Sequence, residues 1–265
     1  LKDELINSNY NVGKKFAKLV AIPTTAGSGA EVTSNAVIYI DKIKYSVEGE
    51  RLRPDHFFLI PELVLAASNK IKSSAGFDAI AQAIESLISR KSNEKSKVFA
   101  EKSLKLSFNY FLDYLNKPNY ENTSAMCLAA NLSGEAISIS KTTAPHAVSY
   151  PFTALYNVSH GHAVSLTLNK FLKFNYKNLA FAKCDFDLNS RFKLLFDLTK
   201  TNNFNTFDQY LENLKDSAKL ENNFEKLGID IKKNYTKIIS SVSSKRLANN
   251  PIDLNLEDLK KIIQN

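Results

Sequence analysis

The sequence predicts a mainly α-helical protein in which a short α/β segment precedes an all-helical domain. Short apolar and β-branched runs, punctuated by glycine and proline, are concentrated in the first 60 residues. From Pro61 onward glycine becomes sparse, and long stretches carry apolar residues at helical spacing. We therefore expect two domains, covering residues 1–60 and 61–265, without an internal repeat.

Three short strands are expected in the first segment. Residues 17–23 form an apolar run that ends in proline, residues 32–40 are rich in β-branched and aromatic side chains, and residues 57–60 lie between two prolines. The helices that follow are expected where the apolar spacing is helical, at residues 74–89, 95–115, 123–139 and 160–174. Residues 179–265 alternate polar helices with Asn-rich turns.

The composition is that of an ordinary globular protein and excludes several classes. Hydrophobic residues make up 44% and charged residues 23% of the chain, so extended disorder is not expected. No apolar run reaches the roughly 18 residues that a membrane span needs, and residues 1–11 lack the apolar centre of a signal peptide. Cys127 and Cys184 are too few for a disulfide framework and lack the spacing of a thiolate zinc site, which fits a cytoplasmic protein.

The chain is basic, with a net charge of +8. Lysine far outnumbers arginine, and the lysines are spread along the chain without a basic cluster that alternates with aromatic residues. We therefore expect no nucleic-acid partner, although a basic surface attracts anionic small molecules.

A glycine-bearing loop is the first candidate site. Residues 22–31 read IPTTAGSGAE and offer hydroxyls and close backbone approach to a phosphate or sugar. The candidate cofactor-binding residues are Thr24, Thr25, Gly27, Ser28 and Gly29. Because the spacing matches neither a P-loop nor a dinucleotide fingerprint, a simple turn is the alternative.

Asp78, Gln82 and Glu85 form a second candidate, because they share one face of the expected helix. They are either an exposed flank or a buried polar group that needs partners.

A histidine cluster is the third candidate. His146, His160 and His162 lie close together, although the chain has only 4 histidines. Imidazole and carboxylate ligands suit Fe, Zn, Ni or Co. Asp78 would complete such a set with His146 and His160 if the two segments faced each other.

Three motifs, in this order, resemble those of the iron-containing (group III) alcohol dehydrogenases, which have the dehydroquinate synthase-like fold. The motifs are IPTTAGSGAEVT, GFDAIAQAIES and HAVSYPFTALYNVSHG, and the ending NNPIDLNLEDLKKII is also similar to that of the family. The resemblance implies that residues 1–60 are the end of an α/β nucleotide-binding domain for NAD(P)H. Residues 61–265 would then be the helical metal-binding and catalytic domain. Since family members begin with a longer nucleotide-binding domain, we expect most of the cofactor site to lie outside this sequence.

The resemblance also implies the metal ligands. The family holds its divalent metal on one aspartate and three histidines, which fall on Asp78, His146, His160 and, as a departure, Gln82. We expect Fe²⁺, with Zn²⁺ as the alternative. A Gln amide oxygen is a weaker ligand than imidazole, so the metal affinity or the preferred ion is expected to change.

Proton delivery is a further implication. Tyr150 stands where the family usually has a histidine that is thought to relay a proton, so Tyr150 and His162 are the catalytic candidates.

Within the family, the glutamine and the segment KTTAPHAVSYPFT are most similar to the phosphonoacetaldehyde reductases. The reaction implied is the reduction of phosphonoacetaldehyde to 2-hydroxyethylphosphonate in phosphonate biosynthesis, with Lys141, Thr142 and Thr143 holding the phosphonate. Further cationic candidates are Lys44, Arg51 and Arg53.

Two alternatives stay open. One is a general dehydrogenase of the same family with a neutral alcohol or aldehyde as its substrate. The other is a truncated, non-catalytic fragment that lacks the glycine-rich half. The family also implies a homo-oligomer, most simply a dimer.

Overall fold

The computed structural model describes residues 15–40, 43–240, 242 and 244–264, together with residue 3. Two of the predictions above lie outside the described residues. One concerns the absence of a signal peptide in residues 1–11, of which only residue 3 is described, and the other concerns the side chain of Lys44.

Four short strands lie between residues 15 and 60 of the described chain. β1 (Val20–Ala21) pairs in parallel with β4 (His56–Phe57), and β2 (Asn35–Ile40) pairs antiparallel with β3 (Ile43–Glu48). Strands were expected near β1, β2 and β4, whereas β3 was missed. The sequence of β3, IKYSVE, mixes polar and apolar residues and lacks the apolar run that marked the others.

From Pro61 onward the described chain is helical. The α-helices are α1 (Pro61–Leu65), α2 (Asn69–Ile88), α3 (Glu94–Asn116), α4 (Tyr120–Ser140), α5 (Ala144–Tyr156), α6 (His160–Lys177), α7 (Leu188–Thr199), α8 (Phe204–Ser217), α9 (Ile231–Ser240), α10 (Ser244–Leu247) and α11 (Leu256–Gln264). The four helices expected from apolar spacing correspond to α2, α3, α4 and α6. Helix α5 was not expected, because it starts beside Pro145 and contains Pro151 in its interior.

Helix α2 forms the centre of the helical domain. It packs against α3, α4 and α6 and is buried along nearly its whole length from Lys72 to Ile88. Phe77, Phe111 and Phe192 are among the large side chains that fill the surrounding core, and burying each such side chain contributes about 1.5–3 kcal/mol. A helix buried on all sides carries its polar residues into the interior, so those residues must find partners there.

A second apolar cluster supports α5 from its other side. Val148 and Phe152 of α5 belong to the same buried cluster as Ile238 of α9 and Ile263 of α11. Helix α5 therefore packs on this cluster with its apolar side chains, while its His146 contacts Glu85 of α2.

The α/β segment contacts the helices directly, through the 3-10 turn Ala30–Val32 against α4 and through β3 against α5. The expected domain boundary at residue 60 stays a prediction. Among the described helices, none combines the length and the apolar character that crossing a bilayer requires.

Candidate metal centre

Three of the expected ligand residues lie together where α2, α5 and α6 meet. Asp78 Oδ1 is 3.2 Å from His146 Nε2 and 3.7 Å from His160 Nε2. The three ligand atoms all lie within 4.8 Å of one another. Ligand atoms held about 2.1 Å from one divalent ion lie about 3.0–3.4 Å apart, so the cluster is close to the size of a metal site. Two imidazoles and a carboxylate form a donor set that fits Fe²⁺ or Zn²⁺.

The cluster is buried on one side and open on the other. Asp78 and His146 are buried, whereas His160 is partly exposed. A small molecule can therefore approach from the side of His160.

A glycine brings α6 close to α2. A Cβ atom at Gly161 would lie 1.9 Å from the Ser74 carbonyl oxygen and 2.8 Å from Asp78 Cβ. The neighbouring His162 N–H donates to Ser74 Oγ at 3.2 Å and holds the start of α6 against α2. This close contact places His160 beside Asp78.

Glu85 is a fully buried carboxylate behind His146. One of its oxygens accepts a hydrogen bond from His146 Nδ1, and the other accepts from the N–H and the hydroxyl of Thr143 at 2.7 and 2.8 Å. A carboxylate on Nδ1 directs the lone pair of the neutral imidazole to Nε2, which faces Asp78. The helical spacing grouped Glu85 with Asp78 and Gln82, and of the two alternatives given there, the buried polar group with partners is the one found. The contact of Glu85 with His146 was not predicted.

The charge of the centre favours a protonated His146. Burial by itself lowers the pKa of His146, because a charged imidazolium is poorly solvated in the interior. The negative charges and hydrogen bonds of Glu85 and Asp78 outweigh this effect and raise that pKa to about 9.

Gln82 lies beside the cluster and supports Asp78. Its Nε2 donates to Asp78 Oδ2 at 3.1 Å, and its Oε1 accepts from Ser133 Oγ at 3.1 Å. Ser133 Oγ also lies 2.8 Å from the carbonyl oxygen of Ala130, and a hydroxyl has one proton to donate. The reversed amide, with Nε2 donating to Ser133 and Oε1 beside Asp78, therefore satisfies the serine equally well. That Gln82 ligates a metal stays a prediction.

Of the two candidates for proton delivery, Tyr150 lies in the cluster. Its ring stacks on the His160 imidazole, with the ring centroids 5.8 Å apart and an interplanar angle of 12°. His162 is two residues after His160 on the same helix, so the two side chains do not share a face. The structure does not bring His162 to the cluster, because its Nε2 makes a 2.8 Å hydrogen bond with the Glu221 carbonyl oxygen.

The three residues expected to hold a phosphonate differ in their surroundings. Thr143 does not fit the expectation, because it is fully buried and donates both its N–H and its hydroxyl to Glu85. Thr142 Oγ1 accepts a hydrogen bond from Arg246 at 3.0 Å. Lys141 lies at the junction of α4 and α5 with a φ of 60°, a conformation that is strained for a lysine. Of the further candidates, Arg53 is paired with Glu135 at 3.0 Å.

Arg246 is a cation at the centre that the sequence reasoning missed. Its guanidinium carbon lies 5.1 Å from the centroid of the Tyr150 ring. Arg246 also contacts Thr142, which lies 104 positions earlier in the sequence. No local motif pointed to it.

The glycine-bearing loop packs on the same central helix. A Cβ at Gly27 would come within 2.9 Å of Ala75 in α2, and Gly29, with a φ of +59°, lies against Gly134 in α4. Ala75 precedes Asp78 by three residues, about 4.5 Å along the helix. The loop therefore lies next to the cluster of candidate metal ligands.

The candidate cofactor residues of this loop differ in exposure. Thr24, Thr25 and Ser28 are exposed, whereas Gly27 and Gly29 are buried. The two glycines allow the loop to pack, and the three hydroxyl residues are accessible to a ligand.

Comparisons with known proteins agree with this architecture. The model of the Fe-containing alcohol dehydrogenase family, C-terminal part, matches residues 72–265, and the iron-containing alcohol dehydrogenase model matches residues 2–61. Among solved structures, sulfoacetaldehyde reductase from Bifidobacterium kashiwanohense in complex with NAD⁺ is 25% identical, with a TM-score of 0.83 over 98% of this chain and 68% of that chain. Alcohol dehydrogenase from Oenococcus oeni is 22% identical, with a TM-score of 0.87 over 96% of this chain and 67% of that chain, and it shows the shared fold. These neighbours confirm the predicted mainly α, dehydroquinate synthase-like fold.

Two curated relatives each match about three fifths of this chain. Phosphonoacetaldehyde reductase of Streptomyces viridochromogenes is 34% identical over 163 residues, which are 60% of this chain and 41% of the relative. The 1-propanol dehydrogenase PduQ of Salmonella typhimurium is 36% identical over 166 residues, which are 62% of this chain and 45% of the relative. The matched region thus covers less than half of each relative. Because the family models match most of the chain, the protein belongs to the iron-containing alcohol dehydrogenase family.

Proposed function

We propose that this chain carries the metal-binding and substrate-binding part of an NAD(P)H-linked dehydrogenase that reduces an aldehyde to a primary alcohol. The observation that carries the proposal is the cluster of Asp78, His146 and His160, whose ligand atoms lie within 4.8 Å of one another. The loop at residues 24–29 packs against Ala75, about one helical turn from Asp78, and is our candidate for contact with the nucleotide. The names of the relatives, which include an aldehyde reductase and an alcohol dehydrogenase, support the same reaction class.

The proposed reaction gives each group of the centre a task. A divalent ion, when bound, supplies Lewis-acid polarisation of the carbonyl oxygen, and NAD(P)H supplies the hydride. Asp78, His146 and His160 would hold the ion, and Glu85 keeps the imidazole of His146 in the orientation that this requires. The phenol of Tyr150 is our candidate for the proton that the oxygen gains, because it lies against His160.

We propose phosphonoacetaldehyde as the substrate and 2-hydroxyethylphosphonate as the product. Two similarities support an anionic two-carbon aldehyde: the 34% identical relative is a phosphonoacetaldehyde reductase, and the 25% identical structure is a sulfoacetaldehyde reductase. A neutral aldehyde is the second candidate, favoured by the 36% identical 1-propanol dehydrogenase.

The first test is metal analysis of the purified protein under anaerobic, metal-replete conditions, beside the Asp78→Ala variant. We expect one divalent ion per chain in the wild type and a loss of the ion in the variant. A wild-type protein without bound metal would contradict the proposal.

The second test compares two aldehydes with NADH and with NADPH. We expect a higher kcat/KM for phosphonoacetaldehyde than for propanal. Equal values for the two aldehydes would favour the neutral-substrate alternative, and no turnover of either would favour the non-catalytic alternative.

We also propose that the protein is a homo-oligomer, as the family resemblance implies. We further propose that it works in a reducing compartment such as the cytoplasm, which its two thiols support. Cys127 is buried and Cys184 is half-buried, and both are free thiols. Burial raises the pKa of each thiol to about 11, so neither is a reactive thiolate at neutral pH. Light scattering coupled to size exclusion would test the oligomeric state.

A further inference from the structure

We propose that Arg246 binds the anionic group of the substrate, in a subsite that it forms with Thr142 and Tyr150. The assignment of the bound anion to the substrate rests on the proposed function. The subsite itself is a statement about three side chains and can be measured without turnover.

The position of Arg246 is fixed by two contacts. Its Nη1–H donates to Thr142 Oγ1 at 3.0 Å, and its guanidinium carbon lies 5.1 Å from the centroid of the Tyr150 ring. The two contacts orient the guanidinium plane before any ligand arrives. Arg246 belongs to the short helix α10, which packs on α5 beside the metal cluster.

The subsite is next to the site of the proposed reaction. Tyr150 touches Arg246 and also stacks on His160, with 5.8 Å between the ring centroids. One aromatic ring therefore connects the guanidinium to a proposed metal ligand. This is a suitable arrangement for a short aldehyde whose two ends are a carbonyl and an anion.

The charge of Arg246 is not compensated within the part of the protein that the structure describes. Three other arginines pair with a carboxylate at 2.5–3.0 Å: Arg53 with Glu135, Arg90 with Asp253, and Arg191 with Glu94. Among the described residues, no carboxylate lies within 4.0 Å of the half-buried Arg246 guanidinium, whose hydrogen-bond acceptor is the Thr142 hydroxyl.

The remaining donors of Arg246 match an oxyanion. A guanidinium has five N–H donors in a planar fork, of which one is used by Thr142. The fork forms paired hydrogen bonds with phosphonate, sulfonate or carboxylate oxygens, which a lysine in the same place would not reproduce. A tetrahedral oxyanion on a two-carbon chain is the ligand class that we infer.

The test is calorimetric titration of the metal-loaded protein with ethylphosphonate and, separately, with ethanesulfonate. We expect wild-type protein to bind at least one of them, and the preferred one identifies the anion. In Arg246→Gln the affinity should fall about 10- to 100-fold, as expected for charge-assisted hydrogen bonds. Arg246→Lys should lie between the two, because it keeps the charge and loses the fork.

Two further variants separate binding from folding and from net charge. Thr142→Val removes the acceptor that orients Arg246 and should weaken anion binding in the same direction, with metal content retained. Lys193→Gln removes one exposed positive charge on α7 and should leave anion binding unchanged. Turnover adds a specificity readout: the ratio of kcat/KM for phosphonoacetaldehyde to that for propanal should fall about 10- to 100-fold in Arg246→Gln.

The outcomes distinguish this inference from the proposed function. Equal anion affinity in wild type and Arg246→Gln, or no anion binding by wild type, would overturn the subsite even if aldehydes are reduced. Arg246-dependent anion binding without reduction of any aldehyde would support the subsite and contradict the proposed function.

Discussion

Glu85 determines which nitrogen of His146 faces the other proposed metal ligands, Asp78 and His160. One of its oxygens faces His146 Nδ1, and the other accepts from both the N–H and the hydroxyl of Thr143. A neutral amide in its place therefore turns an NH₂ group toward either the Nδ1–H of His146 or the two donors of Thr143. Supporting carboxylates of this kind contribute about 10- to 100-fold to metal affinity. We therefore expect Glu85→Gln to weaken metal binding by about that factor.

Competition with a fluorescent chelator would measure this change. Glu62→Gln, at an exposed position of α1, is the matched control and should bind metal as the wild type does. Unchanged affinity in Glu85→Gln would show that the orientation of His146 does not depend on the carboxylate.

The raised pKa of His146 makes metal binding depend on pH. In the folded, metal-free chain this pKa is about 9, above the ordinary value of 6.5, so the imidazole is protonated at pH 7. The stabilisation that protonated His146 gives this state is full below about pH 6.5 and is lost as the pH rises through about 9. A metal ion needs the neutral imidazole, so binding at pH 7 must release a proton.

We therefore expect metal affinity to rise by about tenfold per pH unit between pH 7 and 9 and then to level off. Calorimetry at pH 7 in buffers of different ionisation enthalpy would count the released protons. A binding enthalpy that is independent of the buffer would contradict the assignment of a proton to His146.

At the scale of elements, the contact between α2 and α6 sets the distance between the ligands. An alanine at Gly161 would place its Cβ 1.9 Å from the Ser74 carbonyl oxygen, a backbone atom that moves only with the helix. We expect Gly161→Ala to separate the helices, lower the melting temperature and weaken metal binding. Thermal unfolding and chelator competition on the same samples would measure both effects.

Gly228 provides a control for this variant. It has a φ of +71°, and no heavy atom lies within 4 Å of the position that a Cβ would occupy. Gly228→Ala therefore adds backbone strain of about 1–2 kcal/mol without a steric clash. It should lower stability and leave metal affinity unchanged. If Gly161→Ala and Gly228→Ala had the same metal affinity at equal loss of stability, the contact between Gly161 and Ser74 would not determine the positions of the ligands.

Elements with a regular apolar period could be predicted from the sequence, and those interrupted by proline or polar residues could not. Helices α2 and α3 follow their spacing, whereas α5 contains Pro151 and β3 has no apolar run. The same division holds for the site. Asp78 and His146 stood in recognisable motifs, but Arg246 reaches the centre through a contact across 104 positions that no local pattern encodes.

At the scale of the whole molecule, the net charge of +8 bears on how the proposed anionic substrate would arrive. A net positive surface raises the encounter rate of anions over distances that salt screens, and the screening length is about 10 Å at 0.1 M salt. Binding at Arg246 acts at short range and is screened less. The two effects therefore respond differently to ionic strength.

We expect kcat/KM for phosphonoacetaldehyde to fall several-fold between about 0.05 and 0.5 M salt, because steering by the surface charge weakens. The value for propanal should change little, and since both reactions use the same nucleotide, the ratio of the two values removes any effect of salt on cofactor binding. In Arg246→Gln the ratio should start lower and decline with a similar slope, because the other positive charges are still present. A salt dependence that is the same for both aldehydes would mean that the basic surface does not guide the substrate.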